Sequence, residues 1–157
     1  EFWSKFWDFS KIIGDKGKEV IRYNNIFNKT KFFSDSKLNY TENILKKKSS
    51  EVAISFLSEK GFEEEISWDQ LYDKVCKFSN YLKSIGLKKG DRVAICMQNN
   101  PEFIFSYMGV VGMGAVCVPL NSWWVPEEVK YGLDHSDAKL IFGDKKRRSL
   151  WQNRMNG

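Results

Sequence analysis

GVVGMGAVCVPLNSWW, residues 109–124, is the stretch on which the fold turns. It holds no charge, carries Gly109, Gly112 and Gly114, and ends on two adjacent tryptophans. No charged residue occurs between Glu102 and Glu127, and by length alone such a run would cross a bilayer, for which about 20 apolar residues suffice. The details favour another reading. The glycines fall where a spanning helix would have to continue, and Pro119 sits near the far end. Cutting the run at Gly112–Gly114 leaves a helix and a strand of ordinary globular length. A phosphate loop fits less well. Its glycines would follow the order GxGxxG between a strand and a helix whose amides face a pyrophosphate, whereas these run GxxGxG ahead of a strand. The expectation is a helix end followed by a buried strand, with glycines that let the helix pack closely against a sheet.

Working outward, the same alternation repeats. Pro101 opens the helix that runs to about Gly112, since proline is favoured at the first helical position. Before it, RVAICM (92–97) reads as a strand buried on both faces. Leu71, Val75, Phe78, Leu82 and Ile85 recur at helical spacing, with Asp69 as the expected cap and Gly86 as the closing residue. VAISFL and EISW, joined by EKGFEE, predict a hairpin over 52–68, with Glu63–Glu65 at its turn. Downstream, Pro126 opens the helix PEEVKYGLDHS, and KLIFGD is the last strand. Hairpin, helix, strand, helix, strand, helix, strand is the order of an α/β fold with a parallel sheet and crossover helices. Val93, Ile95, Val116 and Val118 are its expected core. KKRRSLWQNRMNG has no clear period and predicts no regular structure.

The first 50 residues differ. Phe2, Phe6, Phe9 and Ile13 form a helical stripe that Trp3 and Trp7 extend, until Gly14 to Gly17 breaks it. A short helix is expected around Thr41–Lys47, starting at Thr41.

Composition narrows the class. The chain has 157 residues, 42% hydrophobic and 29% charged, which suits one domain or part of a larger one. Because it begins at Glu1 rather than Met, it is expected to be a fragment or a processed product, and it shows no leader peptide. Its net charge of +5 comes from lysines spread along the chain, with local runs at Lys46–Lys48 and Lys145–Arg148, which predicts a solvated surface and no nucleic-acid partner. Cys76, Cys96 and Cys117 lie far apart inside apolar patterns, so they read as reduced core thiols of a cytoplasmic protein. The single histidine, His135, reads as a surface or capping residue, and Asp91 with Arg92 as a local ion pair. No residue set forms a catalytic, cofactor-binding or metal-ligating constellation by itself.

Three stretches together carry a resemblance. ISWDQLYDKV, GLKKGDRVAICMQNNPEFIFSYMGVVGMGAVCVPLN and EEVKYGLDHSDAKLIFGD resemble, in order and interval, the N-terminal region of the AMP-forming adenylating enzymes over about residues 52–144. That superfamily contains acyl-CoA synthetases, luciferases and peptide-synthetase adenylation domains. FWSKFWDFSKIIG and FFSDSKLNYTENIL are similar to the N-terminal extension of acetyl-, propionyl- and acetoacetyl-CoA synthetases, while VPLNSWW looks more like fatty-acyl or general acyl-CoA ligases.

The resemblance implies residues 1–50 as such an extension, 51–147 as the start of the AMP-binding domain, and 148–157 as a tail that reads as a truncation or a shifted frame. The fold it implies is α/β, a partial mixed sheet with crossover helices, the incomplete N-terminal part of the large domain. The family joins a carboxylic acid to CoA in two steps: the carboxylate attacks ATP, with Mg2+ neutralising the phosphates, and the CoA thiol then displaces AMP. The family's Ser/Thr/Gly-rich loop ending in PKG, its Thr-Glu pair, its ribose-binding Asp and its mobile-domain lysine have no counterpart in this sequence. The expectation is an enzyme scaffold that binds ATP, Mg2+ and CoA only as part of a longer chain. The rival is a non-catalytic α/β module that uses the aromatics of residues 2–33 as an interface.

Overall fold

A computed structural model describes residues 1–152, with side chains through Arg148; residues 153–157 of the tail lie outside the described residues. The chain divides into two units, Glu1–Lys46 and Lys47–Gly157.

In the first unit, α1 (Phe2–Phe9) forms, but it ends four residues before Ile13, ahead of the expected break at Gly14, and its packing face is different. Trp3 packs edge-on against Phe32 and Trp7 against Phe33, with ring centres 4.9 and 5.0 Å apart, while Phe2, Phe6 and Phe9 point outward. Two short antiparallel ladders follow: β1 (Gly14–Asp15) pairs with β4 (Lys37–Leu38), and β2 (Ile21–Arg22) with β3 (Lys31–Phe32). The short helix α2 spans Tyr40–Ile44 and is capped by Asn39, not Thr41, because the Asn39 side-chain oxygen Oδ1 accepts from the Glu42 N–H. Asn43 accepts from the Ile13 N–H and donates to the Ile13 carbonyl, both at 2.8 Å, tying α2 to the chain after α1.

The second unit begins with the hairpin of β5 (Val52–Leu57) and β6 (Glu63–Ser67). Glu63–Glu65 lie in β6, opposite Leu57, Phe56 and Ser55, rather than at the turn, which falls at Ser58–Phe62. The helix α3 (Trp68–Ser84) is capped by Ser67 in a reciprocal box with Gln70, so Asp69 sits inside the first turn instead of before it. Then come β7 (Arg92–Cys96), α4 (Pro101–Gly112), β8 (Val116–Pro119), α5 (Pro126–Ser136), β9 (Leu140–Gly143) and α6 (Lys145–Gln152). The last is a helix where the sequence predicted no regular structure. Its N-cap explains it: Asp144 accepts from the Arg147 N–H at 2.9 Å.

The parallel sheet has the order β8-β7-β9, so β7 is central and the crossovers lie on both faces. Val93 and Ile95 face α3 and α4 with Leu82 and Val110; Ala94 and Cys96 face α5 with Val129 and Leu120. All four β7 residues are buried, as their unbroken apolar run implies. β8 departs from that expectation. It is an edge strand, Val116 is 48% exposed, and Val118 is half-buried. Four consecutive apolar residues do not distinguish a central strand from an edge.

The opening stretch resolves as a helix end, a turn and this strand. Gly114 takes a left-handed turn conformation, φ +83°, which glycine allows without strain. Gly109 packs against α3, not against the sheet. A Cβ there would lie 2.7 Å from Phe78 Cδ1, and the Ser79 hydroxyl donates to the Gly109 carbonyl at 2.8 Å. No helix among the described residues is long and apolar enough to cross a membrane.

The three cysteines are free thiols. Burial pushes Cys96 and Cys117 up to about 11. A thiol raised in this way stabilises the fold fully below its unfolded value and loses that contribution as pH rises through the folded one. Thermal stability should therefore decline between about pH 9 and 11. In Cys96→Ala the alkaline limb of a melting-temperature profile should be shallower; an unchanged limb would show that the thiol is not the cause.

Candidate functional site

A cleft of about 890 Å³ opens at the carboxyl ends of the three parallel strands. Ligands of open α/β sheets bind at this edge, because loops diverge there and leave a crevice. Met97–Asn100 leave β7, Leu120–Trp123 leave β8, Lys146 follows β9, and the hairpin loop Leu57–Lys60 closes the far wall. The lining is rich in amides and hydroxyls: Gln98, Asn99, Asn100, Asn121, Ser122 and Ser58, with Lys60 and Lys146 as cations.

Asp144 and Arg147 tie the three strand ends together. Asp144 accepts from the Gln98 N–H at 3.0 Å, fixing the exit of β7. Its other oxygen caps α6. Arg147 is buried, and its Nε donates to the Ser122 carbonyl at 2.9 Å, fixing the exit of β8. The guanidinium also lies 5.6 Å from the ring centre of Trp123. Its Nη1 stands 3.9 Å from the Asp144 carboxylate and is the one buried side-chain nitrogen or oxygen without a hydrogen bond among the described residues. The Cys96 thiol meets the Asn121 carbonyl at 3.5 Å, a weaker fourth tie. These contacts shape a polar crevice that can receive a ligand through amide and cationic donors.

Glu59 is the only carboxylate of the lining, and no trio of His, Cys, Asp or Glu able to hold a metal occurs among the described residues.

The residues singled out in the sequence lie elsewhere. His135 is exposed and stacks on Tyr131. Asp91 and Arg92 do not pair with each other: Asp91 meets Lys139 at 2.6 Å, and Arg92 pairs with Asp137. The Lys139 ammonium holds the Asp91 carboxyl below its ordinary value. Both pairs strap β7 to the turn before β9, at the edge opposite the cleft. Arg147 departs from the solvated surface expected of the Lys145–Arg148 run: it is buried at the cleft. Asp144 and Gln98 carry no local sign of their pairing, because only the sheet order brings them together. NN, NSW and GDKKRR, each just past a strand, were the available signal.

A sequence profile described as AMP-binding enzyme matches residues 41–155. The chain belongs to this family. It is 32% identical over 115 residues to acetoacetyl-coenzyme A synthetase of Rhizobium meliloti, with 73% of this chain aligned. It is 38% identical over 116 residues to acetyl-coenzyme A synthetase of Desulfatibacillum aliphaticivorans, with 71% aligned. In both cases it spans 18% of the relative's length. Among solved structures, acetoacetyl-CoA synthetase from Streptomyces lividans superposes with a TM-score of 0.80 over 90% of this chain and 22% of that one, at 18% identity. An acyl-CoA synthetase of Brucella canis gives 0.67 over 72% of this chain and 21% of that one, at 24% identity. At these identities the superpositions establish the fold: α/β, matching a partial N-terminal domain of the adenylate-forming enzymes.

Proposed function

We propose that this chain is the N-terminal scaffold of an ATP-dependent, AMP-forming acyl-CoA synthetase, in which carboxylate, ATP and CoA become acyl-CoA, AMP and pyrophosphate. The observation that carries the reading is the family match over residues 41–155 together with relatives that are acetoacetyl- and acetyl-coenzyme A synthetases. Residues 1–50 serve as the extension of the short-chain synthetases and 51–147 as the first part of the AMP-binding domain. ATP, Mg2+ and CoA are the longer protein's requirements, and its compartment is the cytoplasm.

The chain's own contribution is positional. β7 and its neighbours form a rigid floor, and the strand ends clamped by Asp144 and Arg147 present a polar wall. Adenylation depends largely on positioning and on charge stabilisation by groups downstream of this segment in the family order. The test is carboxylate-dependent ATP–pyrophosphate exchange with acetate and acetoacetate. The 157-residue chain should show none. The DNA downstream, translated in all three frames, should encode a T/S-G-T/S-T-G-x-P-K-G segment; its absence in every frame would count against the synthetase reading.

A further inference from the structure

The β2–β3 hairpin of the first unit carries a feature that the acyl-CoA synthetase reading does not use. Its ladder places Arg22 directly opposite Lys31. Like charges in that position repel across the strands, and Glu19 offsets the repulsion here by pairing with Arg22. Beside them lies a pocket of about 420 Å³ lined by Arg22, Tyr23, Asn24, Asn28, Lys29 and Lys31. It contains three cations and no carboxylate.

The surrounding loop is built, not loose. Asn24 Oδ1 accepts from the Ile26 N–H at 2.9 Å, and the Thr30 hydroxyl accepts from the Asn24 N–H at 3.2 Å. That bond turns the Asn24 oxygen to the loop backbone, and its NH2 remains a donor. Glu19 pairs with Arg22 from outside the pocket and fixes the guanidinium, while Asp35 is taken up by the Lys18 and Glu19 N–H groups. The Lys29 and Lys31 ammonium groups have no ion partner among the described residues. An oxyanion with several acceptor oxygens would engage the Lys29 and Lys31 ammonium groups and the Asn24 NH2.

We propose that this pocket binds a phosphate group, carried either by a small soluble ligand or by an anionic lipid headgroup. A phosphate monoester near its dianion matches the two ammonium groups of Lys29 and Lys31, whereas a headgroup phosphodiester carries one negative charge and relies on its neighbours in the bilayer for the rest. Tyr23, Ile26 and Phe27 are exposed on the same loop, so a phosphate at a membrane surface is the second possible source.

The experiment is an NMR titration of the 157-residue chain with inorganic phosphate at constant ionic strength, with chloride as control. A parallel arm measures sedimentation with phosphatidylcholine vesicles, with and without phosphatidylserine. Both arms are repeated on Lys29→Gln/Lys31→Gln, whose exposed side chains leave the fold intact, as circular dichroism will verify. Saturable phosphate shifts at the Asn24 and Asn28 amides, weakened about tenfold or more in the variant, support a soluble ligand. Phosphatidylserine-dependent sedimentation lost in the variant supports a headgroup. Equal shifts with chloride, equal binding by the variant, or binding in neither arm would overturn the proposal.

Discussion

Asp144→Ala should lower the stability of the sheet unit by about 3 kcal/mol, the scale observed when one partner of a buried ion pair is removed. Three contributions act together. The Arg147 guanidinium, 3% exposed as a residue, loses its carboxylate and keeps the Ser122 carbonyl and the Trp123 ring. The Gln98 N–H loses its acceptor, and α6 loses its cap, each worth about 1 kcal/mol. Urea unfolding should show a lower midpoint with an unchanged slope. Adding Arg147→Met should recover part of the loss, because it removes the stranded charge and leaves an apolar side chain of similar length. A cost below about 1 kcal/mol for Asp144→Ala would mean that the strand ends hold themselves without the clamp.

Ile95→Ala should cost about 2–5 kcal/mol, since Ile95 is fully buried at the centre of the sheet and the cavity cannot collapse between α3 and α4. Val116→Ala should cost well under 1 kcal/mol, because half of that side chain already faces water. The contrast is informative because composition and periodicity rank the two positions together. Denaturant titration of both variants decides it, and equal losses would place β8 in the interior.

The difference between Ile95 and Val116 also marks how far the sequence reaches. Pro101, Pro126 and Gly86 set element ends through backbone constraints that act locally, so α4, α5 and the end of α3 were legible. The alternation of helices and strands gave the α/β class for the same reason. Strand order is a tertiary property. It made β7 central, left Val116 at an edge, and moved the close packing of Gly109 onto Phe78 of α3. Caps fell two residues before the expected ones, at Asn39 and Ser67, because the residue whose side chain reaches the free N–H groups depends on the entry angle of the chain. The cleft was least legible. Asp144 meets Gln98 across 46 residues and Arg147 meets Ser122 across 25, and no local pattern encodes either.

These features describe two apolar faces around β7 and a clamped polar edge. The most direct test is carboxylate-dependent ATP–pyrophosphate exchange by the purified 157-residue chain, with its fold checked by cooperative urea unfolding. The account predicts a folded protein with no exchange above background for any short-chain acid tried. Exchange that requires both the acid and this chain would contradict it, by showing that the chemistry resides in these residues and not beyond them.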